Sequence, residues 1–402
     1  MPVEIRTPRE DELRDAMSAA TDAFAESLEP DDYDRERVSV RLERSVAAFD
    51  EGRPVGFAAS YEFELSVPGG SVPTAGVTWI GVVPTHRRKG ILRGFMERLL
   101  ADARENGEPL AALFASEAPI YGRFGYGIAS HNLTVDIESD RIVWRDDPGP
   151  AGAVRLLDEE EAYAVFPSIY DRVRATRNGM LSRSEHWWRA HRLRDYEHRR
   201  RGASRRFNAL LEIDGEPAAY AVYRVKGEWA DNYAAGEVGV IESFATSAAA
   251  TRDLWRYLSA IDLTARVKSE MFDTASPLFL LVVDARALHI RVRDGLWLRL
   301  VDVEEALRRR SYAADDEVVL EVRDEGLPEN AGRYRVGPGV GRTDDDAELS
   351  LDVADLASAY LGAFSFSRLA SAGRVDELRP GALARADALF RTPLPPYCPE
   401  EF

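Results

Sequence analysis

Along residues 53–114 the spacing of apolar positions changes twice. Val55 to Val67 and Gly76 to Val83 are rich in valine, aromatic and small residues, with turn material at Pro68-Gly69-Gly70 between them, so the pattern predicts an antiparallel strand pair. After Pro84 the period becomes helical: Ile91, Leu92, Phe95, Met96, Leu99 and Leu100 recur on one side, and Arg93, Glu97 and Arg98 on the other. A helix is expected to begin near Gly90. The polar stretch Arg104-Glu105-Asn106-Gly107 ends it, and the apolar run Pro109 to Phe114 fits the next, buried strand.

The same order returns later in the chain. Ile213-Asp214-Gly215-Glu216 reads as a hairpin turn, Ala219 to Val225 and Val238 to Phe244 as strands, and Leu254, Tyr257, Leu258 and Ile261 as a helical face, which together make a degenerate internal repeat. Between the copies, Asp146-Asp147-Pro148-Gly149-Pro150 stops either regular structure and places a domain boundary. From Gly295, Leu296-Trp297-Leu298-Arg299-Leu300 opens a third region. It ends in Pro393-Leu394-Pro395-Pro396-Tyr397-Cys398-Pro399-Glu400-Glu401-Phe402, whose prolines stiffen the tail into an extended arm.

With 402 residues, 45% of them hydrophobic, the chain has material for two to four domains, which excludes one small domain and global disorder. No run approaches the ~18 apolar residues of a membrane span, and Met1-Pro2-Val3-Glu4 does not open a signal sequence, so a cytoplasmic protein without a membrane partner is expected. The single cysteine, Cys398, rules out an internal disulfide and a cysteine-built zinc site. The six histidines contain no His-Glu-x-x-His pair, and His186 and His191, five apart, are not expected to share a helix face, so no metal is expected.

The net charge of −17 opposes nucleic acid as a partner and favours a cationic substrate. The lysines are only Lys89, Lys226 and Lys268, and an acidic, lysine-poor composition equally suits a protein adapted to high salt. Arg199-Arg200-Arg201 with Arg205 and Arg206, near Trp187 and Trp188, reads as a solvated loop after a helix rather than an RNA-binding face.

The segment Val82-Val83-Pro84-Thr85-His86-Arg87-Arg88-Lys89-Gly90-Ile91-Leu92 ends a strand and opens a helix. Unbonded N–H groups at a helix start, the helix dipole and a glycine that permits close approach suit a pyrophosphate, and Arg87, Arg88 and Lys89 add three cations to an acidic chain. The second copy has Thr246-Ser247-Ala248-Ala249 at this place, without arginine or glycine, so only the first copy is expected to bind phosphates.

With the flanking strand and helix and the run Ser116-Glu117-Ala118-Pro119-Ile120-Tyr121-Gly122-Arg123-Phe124-Gly125-Tyr126-Gly127, the chain resembles the GNAT acetyltransferases. Leu92 departs from the glycine or alanine many of them carry there. The Pro84 to Arg93 string, the Ser116 to Gly127 run, Asp294 to Arg299 and the terminal Glu401-Phe402 together resemble the Eis (enhanced intracellular survival) family over the whole length.

The resemblance implies an α/β (α+β) chain of tandem GNAT-like domains, the second degenerate, followed by a sterol-carrier-protein-like α+β domain. The expected extents are residues 1–148, 149–290 and 291–402, with the C-terminus reaching the active site. It implies acetyl-CoA as co-substrate, an amine acceptor that is a small aminoglycoside-like or polyamine-like cation or an exposed protein amine, and a homo-oligomer, a hexamer in many members. The coenzyme site carries over to Ile80, Gly81, Val82, Arg87, Arg88, Lys89, Gly90, Ile91, Leu92, Arg93, Ser116 and Glu117, with N–H groups of a distorted strand end at Ile80 to Val82 as oxyanion donors.

Tyr121 matches the family's general acid. Tyr126, five residues on, is the rival, and the spacing from Ser116-Glu117 favours Tyr121. The family's general base is the main-chain carboxylate of the last residue, here Phe402, whose ring would anchor it in an apolar pocket, while Glu400 and Glu401 would attract a cation. Phe24 and Glu26 match the amine pocket. The alternative is a non-catalytic carrier that binds a lipid or other apolar ligand in its C-terminal domain; such a carrier needs neither the Arg-x-x-Gly turn nor Tyr121.

Overall fold

The computed structural model describes residues 3–402. Packing divides the chain into two compact units, each assembled from separate stretches: one runs to Ser130 and takes in Gly295–Pro396 and Glu400–Phe402, and the other comprises His131–Asp294 and Tyr397–Pro399.

The first unit is built on a seven-stranded sheet. Its elements in chain order are β1 (Glu4–Arg6), α1 (Leu13–Asp22), α2 (Pro30–Ser39), β2 (Ser45–Asp50), β3 (Arg53–Val67), β4 (Gly70–Val82), α3 (Ile91–Glu105), β5 (Leu110–Phe114) and β6 (Gly127–Ile128). The sheet order is β1-β2-β3-β4-β5, then Leu296–Leu300, then β6. β3 and β4 are the antiparallel pair expected from the pattern, joined at Pro68 and Gly69, and β5 pairs in parallel with β4 after the α3 crossover. α3 buries Ile91, Phe95, Met96, Leu99, Leu100 and Ala103 on one face, against Val46, Ala58 and Val77 of the sheet. Each large side chain buried this way contributes about 1.5–3 kcal/mol.

Leu296–Leu300 was expected to open a third region. It instead enters the first sheet antiparallel to β5, from Leu296 against Phe114 to Leu300 against Leu110, and all five residues are buried. Leu296, Leu298 and Leu300 give one apolar face, and the other carries Trp297 and the buried Arg299, as an interior strand with both faces covered can, but local sequence does not say which distant strand it will join. The rest of this unit is a five-stranded sheet ordered Gly341–Arg342, Gly332–Val336, Val318–Arg323, Leu349–Asp352 and Val375–Glu377, with Tyr334, Tyr360, Phe366 and Phe390 buried about it.

The second unit repeats the plan. It contains β7 (His131–Glu138), β8 (Gly152–Leu157), α4 (Glu159–Arg174), β9 (Phe207–Ile213), β10 (Glu216–Lys226), Gly236–Ala245, α5 (Ala248–Ser259), Thr264–Asp273 and Arg291–Asp294. β10 lies antiparallel to Gly236–Ala245, which in turn pairs in parallel with Thr264–Asp273, the same strand, strand, helix, strand order as β3 to β5. α5 stops at Ser259, so Ile261 packs on the core from beyond the helix.

Packing changes at Ser130/His131 and Asp294/Gly295 rather than at the expected boundaries. Asp146–Pro150 does break regular structure, but β7 before it already pairs with Thr264–Asp273, so that loop is internal to the second unit. Proline and glycine report a local interruption, and strand pairing decides the unit.

Candidate active site

The site begins where β4 and β5 stop pairing. Their parallel register covers only Thr74–Gly76 against Leu110–Ala112, so β4 continues to Val82 without β5 beside it. In that stretch the register with β3 slips, and two β4 residues, Trp79 and Ile80, face the single residue Ala58. Such a bulge turns backbone N–H groups out of the ladder. Gly81, next along, is fixed by packing: a Cβ there would lie 2.6 Å from the Ala20 backbone of α1.

Beyond Val83 the chain makes a one-turn helix at Pro84–His86 and then enters α3 through Arg88 and Gly90, with φ of +62° and +83°. Gly90 is the N-cap, and no side chain bonds the first N–H groups of α3. Nothing lies within 4 Å of the position a Cβ on Gly90 would take. Ile91 anchors the helix in the core, which leaves its N–H and those of Leu92 and Arg93 at the opening.

Arg88, Lys89 and Arg93 are exposed, and among the described residues they make no hydrogen bond or ion pair. Arg87 differs: its Nη2 donates to the Ala23 carbonyl at 2.8 Å, tying the turn to the end of α1. The residues fit an anionic pyrophosphate, with Arg88, Lys89 and the helix N–H groups as donors and Arg87 as a brace. In the second unit α5 begins instead at Ser247, whose side chain accepts from the Ala250 N–H at 3.1 Å. One copy leaves its helix start unbonded, and the other caps it.

After β5, Ser116 and Glu117 are exposed and lead through the turn Ala118–Ile120 to Tyr121, which is 5% exposed. Burial pushes the Tyr121 phenol up, a hydrogen bond with Ser116 opposes the rise, and the Glu117 charge adds to it. Tyr126 is deeper, at 1% exposure, and its hydroxyl meets no hydrogen-bond partner. Burial pushes that phenol far up, with the Arg299 charge only partly opposing. Arg299 is itself buried, donates to both oxygens of Asp324 at 2.8 and 2.7 Å, and lies so close to Gly125 that a Cβ there would be 2.7 Å from the guanidinium carbon. The two tyrosine rings meet edge to face at 6.2 Å.

The C-terminus ends at the same fork. The Phe402 ring lies 5.2 Å from Phe63, 5.8 Å from Phe114 and 6.3 Å from Tyr61, centroid to centroid. Gly76, the last β4 residue paired with β5, admits these rings, because a Cβ there would be 2.5 Å from Phe63 and 3.2 Å from Phe402. Glu401 is exposed; Glu400, expected beside it as a lure for cations, is fully buried. Phe24 and Glu26 stand exposed on the turn after α1, and among the described residues neither side chain makes a ring contact, hydrogen bond or ion pair. Their link to the site is through Ala23, which Arg87 holds.

The cradle of Phe402, namely Tyr61, Phe63 and Phe114 with Trp79 and Glu36 behind Tyr61, was not singled out from the sequence. The alternation Phe57, Ala59, Tyr61, Phe63, Leu65 marks one β3 face, but only the terminal contact shows that part of it is a site. The expectation for His186 and His191 is corrected. Trp187–Leu193 is a π-helix, whose wider turn brings residues five apart together, and the two rings lie 5.8 Å apart. Among the described residues no group of three or more histidine, cysteine or carboxylate side chains is placed to hold a metal. In the basic segment Arg199, Arg201 and Arg205 are exposed, while Arg200 pairs with Asp195 at 2.8 Å and Arg206 donates to the Arg192 carbonyl.

Residues 4–129 match the family model described as an acetyltransferase (GNAT) domain, residues 179–331 match another so described, and residues 303–399 match a sterol carrier protein domain. The N-acetyltransferase Eis of Mycobacterium tuberculosis is 36% identical over 419 residues, with 100% of both chains covered. The chain belongs to the Eis family of GNAT N-acetyltransferases. An uncharacterized N-acetyltransferase of Streptomyces avermitilis is 40% identical over 414 residues, again with 100% of each covered. The crystal structure of Eis1 from Mycobacterium abscessus matches with a TM-score of 0.85 and 36% identity over 100% of both chains.

The chain is thus an acetyltransferase of α/β class, with GNAT domains and a sterol-carrier-like domain toward its C-terminus. Among the described residues no helix is long and apolar enough to cross a membrane.

Proposed function

We propose that this Eis-family chain transfers acetyl from acetyl-CoA to a primary amine, either on a small cation of aminoglycoside or polyamine type or on an exposed protein amine. The observation that carries the reading is the unbonded, glycine-capped start of α3, flanked by exposed Arg88 and Lys89, at the mouth of a fork that receives Phe402. The carrier alternative leaves that turn without a role. The net charge of −17 favours a cationic acceptor.

The chain's own groups then act as follows. An amine attacks a thioester carbonyl only when neutral, so its proton first goes to the carboxylate that ends the chain at Phe402, directly or through water. The N–H groups of the bulge, Ile80 to Val82, meet the oxygen on which negative charge develops. Tyr121, kept protonated by burial, gives its proton to the departing thiolate. Ser116 and Glu117 line the approach, Arg93 and Leu92 continue the coenzyme turn, and Phe24, Glu26 and Glu401 border the amine side. The catalytic part is the unit that runs to Ser130, completed by the C-terminal arm. A homohexamer in the cytoplasm completes this reading on family grounds, and light scattering of the purified chain tests the assembly.

The test of the coenzyme site is calorimetric. Arg88→Glu sets a negative charge beside the pyrophosphate and is expected to weaken acetyl-CoA binding at least about tenfold, or ~1.4 kcal/mol. Unchanged affinity in a folded variant contradicts the assignment.

A further inference from the structure

The bulge that supplies the oxyanion donors is strained. Trp79 has φ of +57°, in the left-handed region, where a bulky side chain is an outlier. Such a conformation persists only when its surroundings over-determine it. Those surroundings are specific. The Trp79 indole Nε1 donates to the Tyr61 hydroxyl at 3.1 Å, that hydroxyl donates to Glu36 Oε2 at 2.5 Å, and Glu36 Oε1 accepts from Arg35 Nε at 2.7 Å. Tyr61, Glu36 and Arg35 are 5%, 3% and 7% exposed. With its single proton directed to a buried carboxylate, the Tyr61 hydroxyl turns a lone pair toward the indole, so the charged cluster on α2, Glu36 with Arg35 and the Asp32 that Arg35 also binds at 2.9 Å, fixes the direction of the whole chain of bonds. Burial and the Glu36 charge both push the Tyr61 phenol well up, which keeps that proton in place.

We infer that Arg35, Glu36 and Tyr61 are positioning residues: through Trp79 they hold the β4 bulge in its left-handed form and so aim the N–H groups of Ile80 to Val82. The inference rests on the acetyl-transfer reading above, which gives those N–H groups their task. It assigns α2, which carries none of the expected site residues, a part in catalysis. Tyr61 also touches the Phe402 ring, at 6.3 Å, so loss of that packing is the competing explanation for any Tyr61 effect.

A double-mutant cycle separates the two. The quantity measured is kcat, with KM for acetyl-CoA, using an amine that the unaltered protein acetylates from a panel of polyamines, aminoglycosides and lysine-containing peptides. Tyr61→Phe keeps the ring against Phe402 and removes the hydroxyl, and Trp79→Phe removes the indole donor from the other end. Each is expected to lower kcat about tenfold, equivalent to ~1.4 kcal/mol, with KM for acetyl-CoA within about twofold. Glycine takes positive φ without help, so in a Trp79→Gly background Tyr61→Phe is expected to change kcat by less than about twofold. The same loss in both backgrounds, or full kcat in folded Trp79→Phe, overturns the inference. An unaltered protein that acetylates no amine of the panel overturns the functional reading, and this inference falls with it.

Discussion

Two tyrosines five residues apart share an aromatic contact and differ in what meets the hydroxyl. The Tyr121 hydroxyl has a hydrogen bond with Ser116 working against the effect of burial, whereas the Tyr126 hydroxyl is buried without a hydrogen-bond partner and feels the charge of Arg299. An unsatisfied buried polar group costs about 1–3 kcal/mol, so Tyr126→Phe is expected to keep turnover and to leave the melting temperature unchanged or higher. In the mechanism proposed above, Tyr121→Phe removes the proton meant for the leaving thiolate, so turnover is expected to fall about 10²-fold or more while acetyl-CoA affinity persists. Because burial raises the Tyr121 phenol above its ordinary ~10, the acid stays protonated across neutral pH, and its loss of activity belongs to the alkaline side of that value. Turnover abolished by Tyr126→Phe and spared by Tyr121→Phe exchanges the two roles.

At the scale of elements, the two copies show which parts of a fold local sequence can carry. The strand pair, the turn and α3 were legible because apolar spacing and the glycine act over a few residues, and the helix start is side-chain-capped at Ser247 in the second copy and uncapped at Gly90 in the first. The π-helix at Trp187–Leu193 was not legible, since no residue type marks it. Nor was the buried network around Glu242, which accepts from Arg183 at 2.7 Å, Arg192 at 2.7 Å and Tyr220 at 2.9 Å. Its partners sit far apart in sequence.

Burial raises the Glu242 carboxyl, but Arg183 and Arg192 outweigh that and hold it at about 2. A depressed carboxyl stabilises the fold above its unfolded value of ~4.3, and that stabilisation is lost as pH falls toward the folded value. Thermal melts are therefore expected to show stability dropping between about pH 5 and pH 2. Glu242→Gln, already weakened at neutral pH on the order of 3 kcal/mol, is expected to lose less over the same window. Parallel acid profiles for the two proteins contradict this role.

At the scale of the whole molecule the chain returns on itself. Leu296–Leu300 completes a sheet begun near the N-terminus, and Glu400–Phe402 rejoin the same unit after Tyr397–Pro399 belong to the other. Within the second unit Tyr397 is held at both ends, its N–H on the Asn178 carbonyl at 2.9 Å and its hydroxyl on the Met271 carbonyl at 2.6 Å. The prolines mark a stiff arm in the sequence, but only long-range packing shows where it is gripped and that its last ring lies against Phe63.

The carboxylate at the end of that arm is the central claim, and lengthening the chain tests it most directly. A few residues added after Phe402 keep every side chain, convert the carboxylate to an amide and move the charge away. The measurement is the rate of thiol release from acetyl-CoA with an amine the unaltered protein acetylates, across about pH 6 to 9, where rising pH supplies more neutral amine. The extended protein is expected to fold, to bind acetyl-CoA, to lose most of its turnover at neutral pH and to regain part of it at the alkaline end. A rate unaltered across the whole range would mean that Phe402 is only an anchor and that the base lies elsewhere, with Glu26 the first carboxylate to examine.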